Sequence, residues 1–458
     1  MAITSGFNKD LLAGVSRLHF IGIGGSGMFP LVQILASKGY TITGSDVNEG
    51  TIIDSERAMG IHVYMGHAAE NVLGADMVVY SAAIHEDNPE LQEADMRGIP
   101  CVERSVMLGY VSRLYPRSIC VAGTHGKTTT TSLITTMLEL AGRDPAAVIG
   151  GKLPLIHGYG KAGSGQNIVV EACEFAETFL RLAPSVSVIL NIDNDHLDCY
   201  GTMGNLKMAF RKFALLASHT VVVNADDENT MQVMNSIDRD VRTFGIRKHA
   251  DYKAENVREY KPGFYEFDVL EFGEPYAHIK MGAPGYHNIY NALAMTACVP
   301  LVGLCPSDAE AAAANFTGAG RRFEIKGEVS GAMVVDDYAH HPTEVGATLK
   351  TARELTTGTL WAVHQPFTYS RTRALLREFA EVLSLADRVV LTPIMGSREV
   401  DDGSVKSEDL AALIPGAIVV ESLDAAAQYI KENAKEGDLV ITMGCGDVYK
   451  AADKMIQE

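Results

Sequence analysis

The sequence has no cysteine pair at metal-ligand or redox spacing. Its seven cysteines, Cys101, Cys120, Cys173, Cys199, Cys298, Cys305 and Cys445, are scattered, odd in number and without a C-x-x-C. That pattern opposes a disulfide framework or a zinc site and predicts reduced thiols in a cytoplasmic protein. A basic excess is also missing: 39 basic against 57 acidic residues give a net charge of −18. Such a surface disfavours nonspecific binding to nucleic acid or to an anionic membrane, so small anions require local basic loops. The first residues, MAITSGFNKDLLAG, have neither a basic start nor an apolar core, and no secretory signal is expected. The most apolar stretch, residues 289–305, is interrupted by Asn291 and Pro300 and is too short and polar to span a bilayer. Repeats and low-complexity tracts are absent as well. What remains is a globular composition, 47% apolar and 21% charged, over 458 residues. At about 150 residues per domain this predicts roughly three domains.

The chain is organised around GTHGKTTTT at residues 123–131, entered from a short apolar run at 118–121 and passing into SLITTMLEL. Strand, glycine loop and helix together let backbone N–H groups approach phosphate oxygens. Gly123, Thr124, His125, Gly126, Lys127, Thr128 and Thr129 form the expected nucleotide-binding segment, with ATP or GTP as the default ligand. Lys127 would offset charge on the terminal phosphates, and Thr128 would place a hydroxyl on Mg²⁺. The loop is shorter than G-x-x-x-x-G-K-[ST], which leaves a plain strand-to-helix turn as the alternative.

Upstream, a strand at 17–23, GIGGSGM and an apolar segment at 31–36 precede a strand at 40–43 ending in Gly44-Ser45-Asp46. Gly22, Gly24 and Gly27 fit G-x-G-x-x-G, and Asp46 lies where a dinucleotide-binding fold places its ribose-bonding acid. On these residues alone an NAD-dependent oxidoreductase is one reading. A strand at 77–80 ends in Ser81, Ala82 and Ala83, which form either a ligand edge or a simple turn. A further strand at 100–102 carries the α/β pattern to about residue 105.

Beyond the phosphate loop, strands are expected at 167–170, 186–191 and 220–224. The first two end in EACEFAE at 171–177 and NIDNDHLD at 191–198, which puts Glu171, Glu174 and His196 at carboxyl ends of strands. Ligands gather there in open α/β sheets, and hard oxygens with one histidine suit Mg²⁺. A solvated acidic face, with His196 capping a turn, is the alternative. Residues 241–283 read as short β runs, YEFDVLEF alternating with period two, hence an antiparallel excursion. Asn288 sits where an asparagine caps a helix. An Ala-rich helix at 309–315, a glycine hinge at 318–320 within TGAGRRFE, and strands at 333–336, 360–363, 388–391, 417–420 and 439–442 complete the chain. The expected fold class is α/β in three consecutive domains, 1–105, 106–318 and 319–458.

Taken in order, G-T-x-G-K-T, E-x-x-E, D-H-L-D, H-N-x-x-N, G-R-R-F-E and D-D-Y-A-H-x-P resemble the Mur ligase family over essentially the whole chain. That family joins an amino acid to a UDP-linked muramoyl precursor at the expense of ATP. LHFIGIGGSGM with GSD, DDYAHHPTE, QPFTYSRTR and MGCGDVY are similar to its alanine-adding branch. The resemblance implies UDP-N-acetylmuramate, L-alanine and ATP as partners, and Mg²⁺ as two ions for which Mn²⁺ can substitute. It implies a cytoplasmic monomer or homodimer, with no nucleic acid and no membrane insertion. It replaces the nicotinamide reading, giving a Rossmann-like UDP-binding domain, a P-loop ATPase-like central domain and a Rossmann-like C-terminal domain. The UDP-sugar would then be held by Gly22, Gly24, Gly25, Ser26, Gly27, Met28, Asp46, Ser81 and Ala83. Lys127, Glu171, His196 and His340 would be catalytic, with Asn288, Asn291, Arg322 and Asp336 joining the phosphate loop around ATP. Thr128, Glu171, Glu174 and His196 would hold metal. Tyr338, Arg371 and Arg373 would bind the amino acid, unless the two arginines only form surface ion pairs.

A related branch that adds a whole tripeptide to the same sugar nucleotide shares most of these motifs and stays open. Phe210 occupies the position of a lysine that sister ligases for later residues carbamylate; the alanine-adding branch lacks that lysine too. Phe367 and Thr368 replace the His and Arg of the usual Q-P-H-R-Y-[ST]-R-T, and the roles of those two positions are not carried over.

Overall fold

The computed structural model describes residues 10–195, 197–397 and 399–457. Five short runs form the first sheet: β1 (Arg17–Ile21), β2 (Thr41–Asp46), β3 (His62–Met65), β4 (Met77–Tyr80) and β5 (Cys101–Glu103). All pair in parallel, in the order β3-β2-β1-β4-β5. The order reverses between β1 and β4, so the carboxyl ends of those two strands open the crevice in which such sheets bind ligands. GIGGSGM leaves β1 there and Ser81 leaves β4. A Cβ on Gly22 would stand 3.4 Å from that of Ser81.

The second sheet is built on β6 (Arg117–Ala122), β7 (Ala146–Leu153), β8 (Gly158–Lys161), β9 (Asn167–Glu171), β10 (Val186–Ile189), β11 (Thr220–Asn224) and β12 (Asp240–Gly245). Its order is β12-β11-β10-β6-β9-β7-β8, parallel except for the β7–β8 hairpin. The β excursion expected after residue 241 is present as β13 (Tyr252–Lys261), β14 (Phe264–Glu271) and β15 (Glu274–Lys280), which extend the order beyond β12. Gly263 and Gly273, at φ +72° and +90°, supply the left-handed backbone that its tight turns require.

The third sheet comprises β16 (Glu324–Val329), β17 (Ala332–Asp337), β18 (Leu360–His364), β19 (Arg388–Leu391), β20 (Ile418–Val419) and β21 (Leu439–Met443), in the order β16-β17-β21-β18-β19-β20. Only the β16–β17 hairpin is antiparallel.

By packing, the chain forms two compact units. Among the described residues the first holds everything up to Ala254, with Val269–Ala277 and Tyr290–Ala312; the second holds Glu255–Asp268, His278–Ile289 and the chain from Ala313 onward. In the first unit one apolar core runs through both sheets, from Phe20 and Leu31 to Val170, Phe179, Phe210 and Phe213. Phe210 is fully buried, its ring edge-on to Phe179 at 5.3 Å, so the position without the lysine is a core position. The helix Phe29–Ser37, which starts beyond the first glycine loop, seats directly on β8: a Cβ on Gly160 would lie 2.7 Å from Pro30. Among the described residues no helix is long and apolar enough to cross a membrane.

Candidate active site

The phosphate loop lies where β6 hands over to the helix Lys127–Leu140. Gly126, at φ +85°, turns the chain into that helix, and a Cβ there would meet Asn291 Oδ1 at 2.6 Å. The same oxygen accepts from Thr130 Oγ1 at 3.1 Å, which brings Asn291 onto the loop. The segment after β10 braces the other side. His125 N–H donates to Asn191 Oδ1 at 2.8 Å, Asn191 Nδ2 returns a bond to His125 O at 3.0 Å, and Asp193 N–H donates to Thr124 Oγ1 at 2.8 Å. His125 Nε2 lies 3.0 Å from Asp193 Oδ2.

Lys127 Nζ donates to Gly123 O at 2.6 Å and Thr124 O at 3.0 Å and pairs with Glu174 Oε2 at 3.0 Å. Burial alone would lower the pKa of this ammonium, but Glu174, with Glu171 behind it, outweighs burial and raises it above its ordinary value. Thr128 Oγ1 donates to Glu171 Oε1 at 3.0 Å, and Glu171 Oε2 accepts from Gly150 N–H at 2.6 Å. Both acids sit at the carboxyl end of β9, the parallel neighbour of β6. They are not one solvated face: Glu174 is 1% exposed, whereas Glu177 faces solvent and pairs with Lys212. A hydroxyl and a carboxylate within hydrogen-bond reach are hard oxygen donors of the kind Mg²⁺ takes, and Thr128 with Glu171 fits that ion; Glu174 is committed to Lys127. His196 lies outside the described residues. Thr129 falls in the first turn of the helix.

At the first glycine loop, Gly22 takes φ +77°, Gly25 and Ser26 are exposed, and Asp46 Oδ2 accepts from Gly24 N–H at 3.0 Å. Asp46 therefore fixes the loop itself. Ser81 Oγ accepts from Ala83 N–H at 3.3 Å. Met28 is 1% exposed and packs in the core, because the helix begun at Phe29 turns its side chain inward.

Three features here are invisible in the motifs. Arg104 opens the helix Arg104–Arg113 and puts Nη1 3.2 Å from where a Cβ on Gly27 would stand, a cation beside the glycine loop. Glu90, fully buried, accepts from Ser45 Oγ at 2.6 Å and Asn71 Nδ2 at 2.5 Å, with His67 Nδ1 at 3.3 Å. Glu56 is also fully buried, with neither oxygen hydrogen-bonded among the described residues; burial, helped by Asp46, pushes its carboxyl up to about 8.

The second unit holds the remaining candidates, with Asp336, Asp337, Tyr338 and His340 at or just beyond the carboxyl end of β17. Asp336 at the end of β17 is fully buried, accepting from Arg321 Nε at 3.0 Å and Thr442 Oγ1 at 2.6 Å; burial raises its pKa although Arg321 opposes the shift. Asp337 accepts from Phe323 and Ala339 N–H, both at 2.7 Å, and burial pushes it up to about 6 against the pull of Arg322. The guanidinium carbon of Arg322 lies 4.9 Å from the Tyr338 ring. His340 stands edge-on between Tyr338 at 5.5 Å and Phe367 at 6.4 Å, with Nδ1 3.1 Å from Tyr338 O and 3.3 Å from Glu344. Asn288 is not a helix cap: it lies inside the helix His287–Cys298, and its Nδ2 donates back to Pro284 O at 2.7 Å. Arg371 sits in the helix Tyr369–Ala374, capped by Thr368, whose Oγ1 accepts the Arg371 N–H at 3.4 Å. Arg373 makes a solvent-exposed pair, 3.9 Å from Asp402.

A glycine loop at the switch point of a parallel sheet, combined with a lysine-bearing phosphate loop flanked by acids, defines a nucleotide-handling α/β protein. The class is narrowed by family models: residues 17–115 match the Mur ligase family catalytic domain, 121–299 the Mur ligase middle domain, and 321–446 the Mur ligase glutamate ligase domain. The chain belongs to the Mur ligase family. It is 44% identical to the UDP-N-acetylmuramate--L-alanine ligase of Caldanaerobacter subterraneus subsp. tengcongensis, over 96% of this chain and 97% of that protein. It is 42% identical to the ligase of the same name from Acetivibrio thermocellus, over 96% of each chain. The solved UDP-N-acetylmuramate-alanine ligase of Thermotoga maritima matches with a TM-score of 0.82 at 30% identity, over 96% of this chain and 98% of that one. The three-domain α/β architecture expected from the sequence is the one found.

Proposed function

We propose that this chain is an ATP-dependent ligase that joins L-alanine to the carboxylate of UDP-N-acetylmuramate, a step of peptidoglycan precursor synthesis. The observation that carries this reading is the near-full-length identity to ligases of that name, on a chain whose phosphate loop presents Lys127, Thr128 and Glu171 together. The muramoyl carboxylate attacks the γ-phosphorus of ATP, ADP leaves, and an acyl phosphate results. The amine of L-alanine then attacks the acyl carbon, and phosphate leaves as the amide forms. The first step brings two anions together, so charge stabilisation is the main task of the protein. Lys127 lies along the loop, where its ammonium meets the terminal phosphates, and Glu174 keeps it protonated and aimed. The first glycine loop offers N–H groups to the UDP diphosphate, with Arg104 as a supporting cation.

Thr128 and Glu171 would hold Mg²⁺, with Mn²⁺ as a substitute; when bound, the ion supplies further positive charge at the phosphates. In the second unit, Arg322, Asn288 and Asp336 are assigned to ATP, Arg371 and Tyr338 to the amino acid, and His340 to catalysis. Seven free cysteines and a strongly acidic surface suit a cytoplasmic monomer or homodimer.

The test is ADP release with UDP-N-acetylmuramate, ATP and, in turn, L-alanine, glycine, L-serine and the muropeptide tripeptide. L-Alanine is expected to give the highest kcat/KM. A preference for the tripeptide would replace this reading with the recycling branch, and no ADP with any acceptor would remove the ligase reading altogether.

A further inference from the structure

Arg322 is flanked by two residues with left-handed backbone, φ being +59° at Arg321 and +51° at Phe323. Neither is glycine, so both conformations are strained and persist only where the surroundings over-determine them. At Phe323 the restraint is the N–H held by buried Asp337. At Arg321 it is the side chain. Nε donates to Asp336 at 3.0 Å, Nη1 to Gly446 O at 2.9 Å and Nη2 to Gly444 O at 2.6 Å. The guanidinium carbon lies 4.7 Å from the Tyr449 ring and 5.0 Å from that of Tyr338. Backbone bonds close the same turn: Arg321 N–H donates to Glu324 Oε2 at 2.8 Å, and Arg321 O accepts from Tyr338 N–H at 2.8 Å. One planar fork thus ties the turn to the end of β17 and to the glycine loop after β21, a task that needs guanidinium geometry and not only charge. Arg322 lies against the same Tyr338 ring, at 4.9 Å.

We propose that Arg321 is a positioning residue for ATP: through the pinned turn and the shared Tyr338 ring it presents Arg322 to the nucleotide. The inference rests on the assignment of Arg322 to ATP and explains how that side chain is held ready. Arg321 directs its fork into the protein, so its contribution to ATP binding is exerted through its neighbour.

The experiment is steady-state kinetics of the full chain, with folding followed by thermal melting, for Arg321→Lys, Tyr338→Leu, Arg322→Ala and the double variant Arg321→Lys/Arg322→Ala. Lysine keeps a cation opposite Asp336 but cannot bridge both carbonyls. Arg321→Lys is expected to raise the KM for ATP about tenfold while leaving the KM for UDP-N-acetylmuramate within about twofold, in the range of coupling between contacting residues. Tyr338→Leu removes the shared ring without touching the buried pair and should raise the KM for ATP similarly. The double variant should bind ATP no worse than Arg322→Ala alone. Full additivity of the two changes would overturn the proposal. So would an unchanged KM for ATP in Arg321→Lys and Tyr338→Leu while Arg322→Ala raises it, an outcome that leaves the assignment of Arg322 standing. An Arg322→Ala enzyme with normal KM for ATP would overturn both. Should Arg321→Lys fail to fold, Tyr338→Leu with and without Arg322→Ala decides between the same two outcomes.

Discussion

Replacing Gly150 by alanine tests Glu171 without altering any residue assigned to the site. Gly150 lies in β7, and its backbone is not in the left-handed region, so alanine brings no conformational strain. The new Cβ would, however, stand 2.5, 2.7 and 2.8 Å from Oε1, Oε2 and Cδ of Glu171. To regain ordinary contact the carboxylate must withdraw by about 1 Å. The far end of a glutamate moves easily, so the fold should tolerate the change. Losing the 2.6 Å bond from Gly150 N–H removes one charge-assisted hydrogen bond, about 1.5–3 kcal/mol at most and less if water replaces it. The larger effect falls on the site, because Glu171 retreats from Thr128. A misplacement of about 1 Å in a charge-stabilising group costs on the order of 10²-fold in rate. Measured as ADP release against Mg²⁺ concentration, Gly150→Ala should lower kcat about 10- to 100-fold and raise the Mg²⁺ needed for half-maximal rate, with a melting temperature close to that of the parent. Parent-like kcat with an unchanged Mg²⁺ requirement would refute the assignment of Glu171 to the metal.

Lys127→Ala should reduce turnover by about three orders of magnitude or more, since charge stabilisation at the transferring phosphate is the main task of the site; near-normal phosphate release would dismiss its role. Glu56 gives a pH test of stability. Its folded pKa of about 8 exceeds the ordinary 4.5, so its stabilising contribution is full below about pH 4.5 and is lost as the pH rises through 8. At pH 7 the deficit is on the order of 3 kcal/mol. Urea midpoints between pH 5 and 9 should therefore fall in the parent relative to Glu56→Gln; parallel curves would contradict the burial argument. For the amino acid, Arg371→Ala should raise the KM for L-alanine, whereas Arg373→Ala, which breaks only an exposed pair, should leave it within about twofold. Equal effects of the two substitutions would argue against that distinction.

Strands such as β4, β11 and β19 lie where the sequence places them because MVVY, TVVVN and RVVL are β-branched runs bounded by polar residues. The β7–β8 hairpin is not legible in the same way: AAVIGGKL carries two glycines in its middle, and only pairing with β9 makes it a strand. At the site, Lys127, Thr128 and Glu171 follow from a local motif and a strand end. That Glu174 clasps Lys127 while Glu177 faces solvent depends on the left-handed backbone at Ala176 and Glu177, which breaks any regular spacing. Arg104 and Gly150 reach their neighbours only through sheet order, and nothing in their own stretches of sequence marks them. The burial of the Met28 side chain is illegible for a related reason, since its place in the motif gives its backbone position but not the side to which its side chain turns.

The contact of Pro30 with Gly160 has a bearing on substrate choice. The Pro30 ring meets a residue that has no side chain of its own, and behind it one continuous core joins the sheet that carries the first glycine loop to the sheet that carries the second. The two loops are therefore mounted on a single chassis, at a separation set by close packing of the Pro30 ring on Gly160 and of the shared core. Under the function proposed above, a molecule that rests its diphosphate on one loop and offers its carboxylate at the other would be measured against that separation before any side chain recognises it. On that reading the fold itself would act as a length gauge, and a sugar nucleotide with a shorter or longer span would be rejected by distance alone.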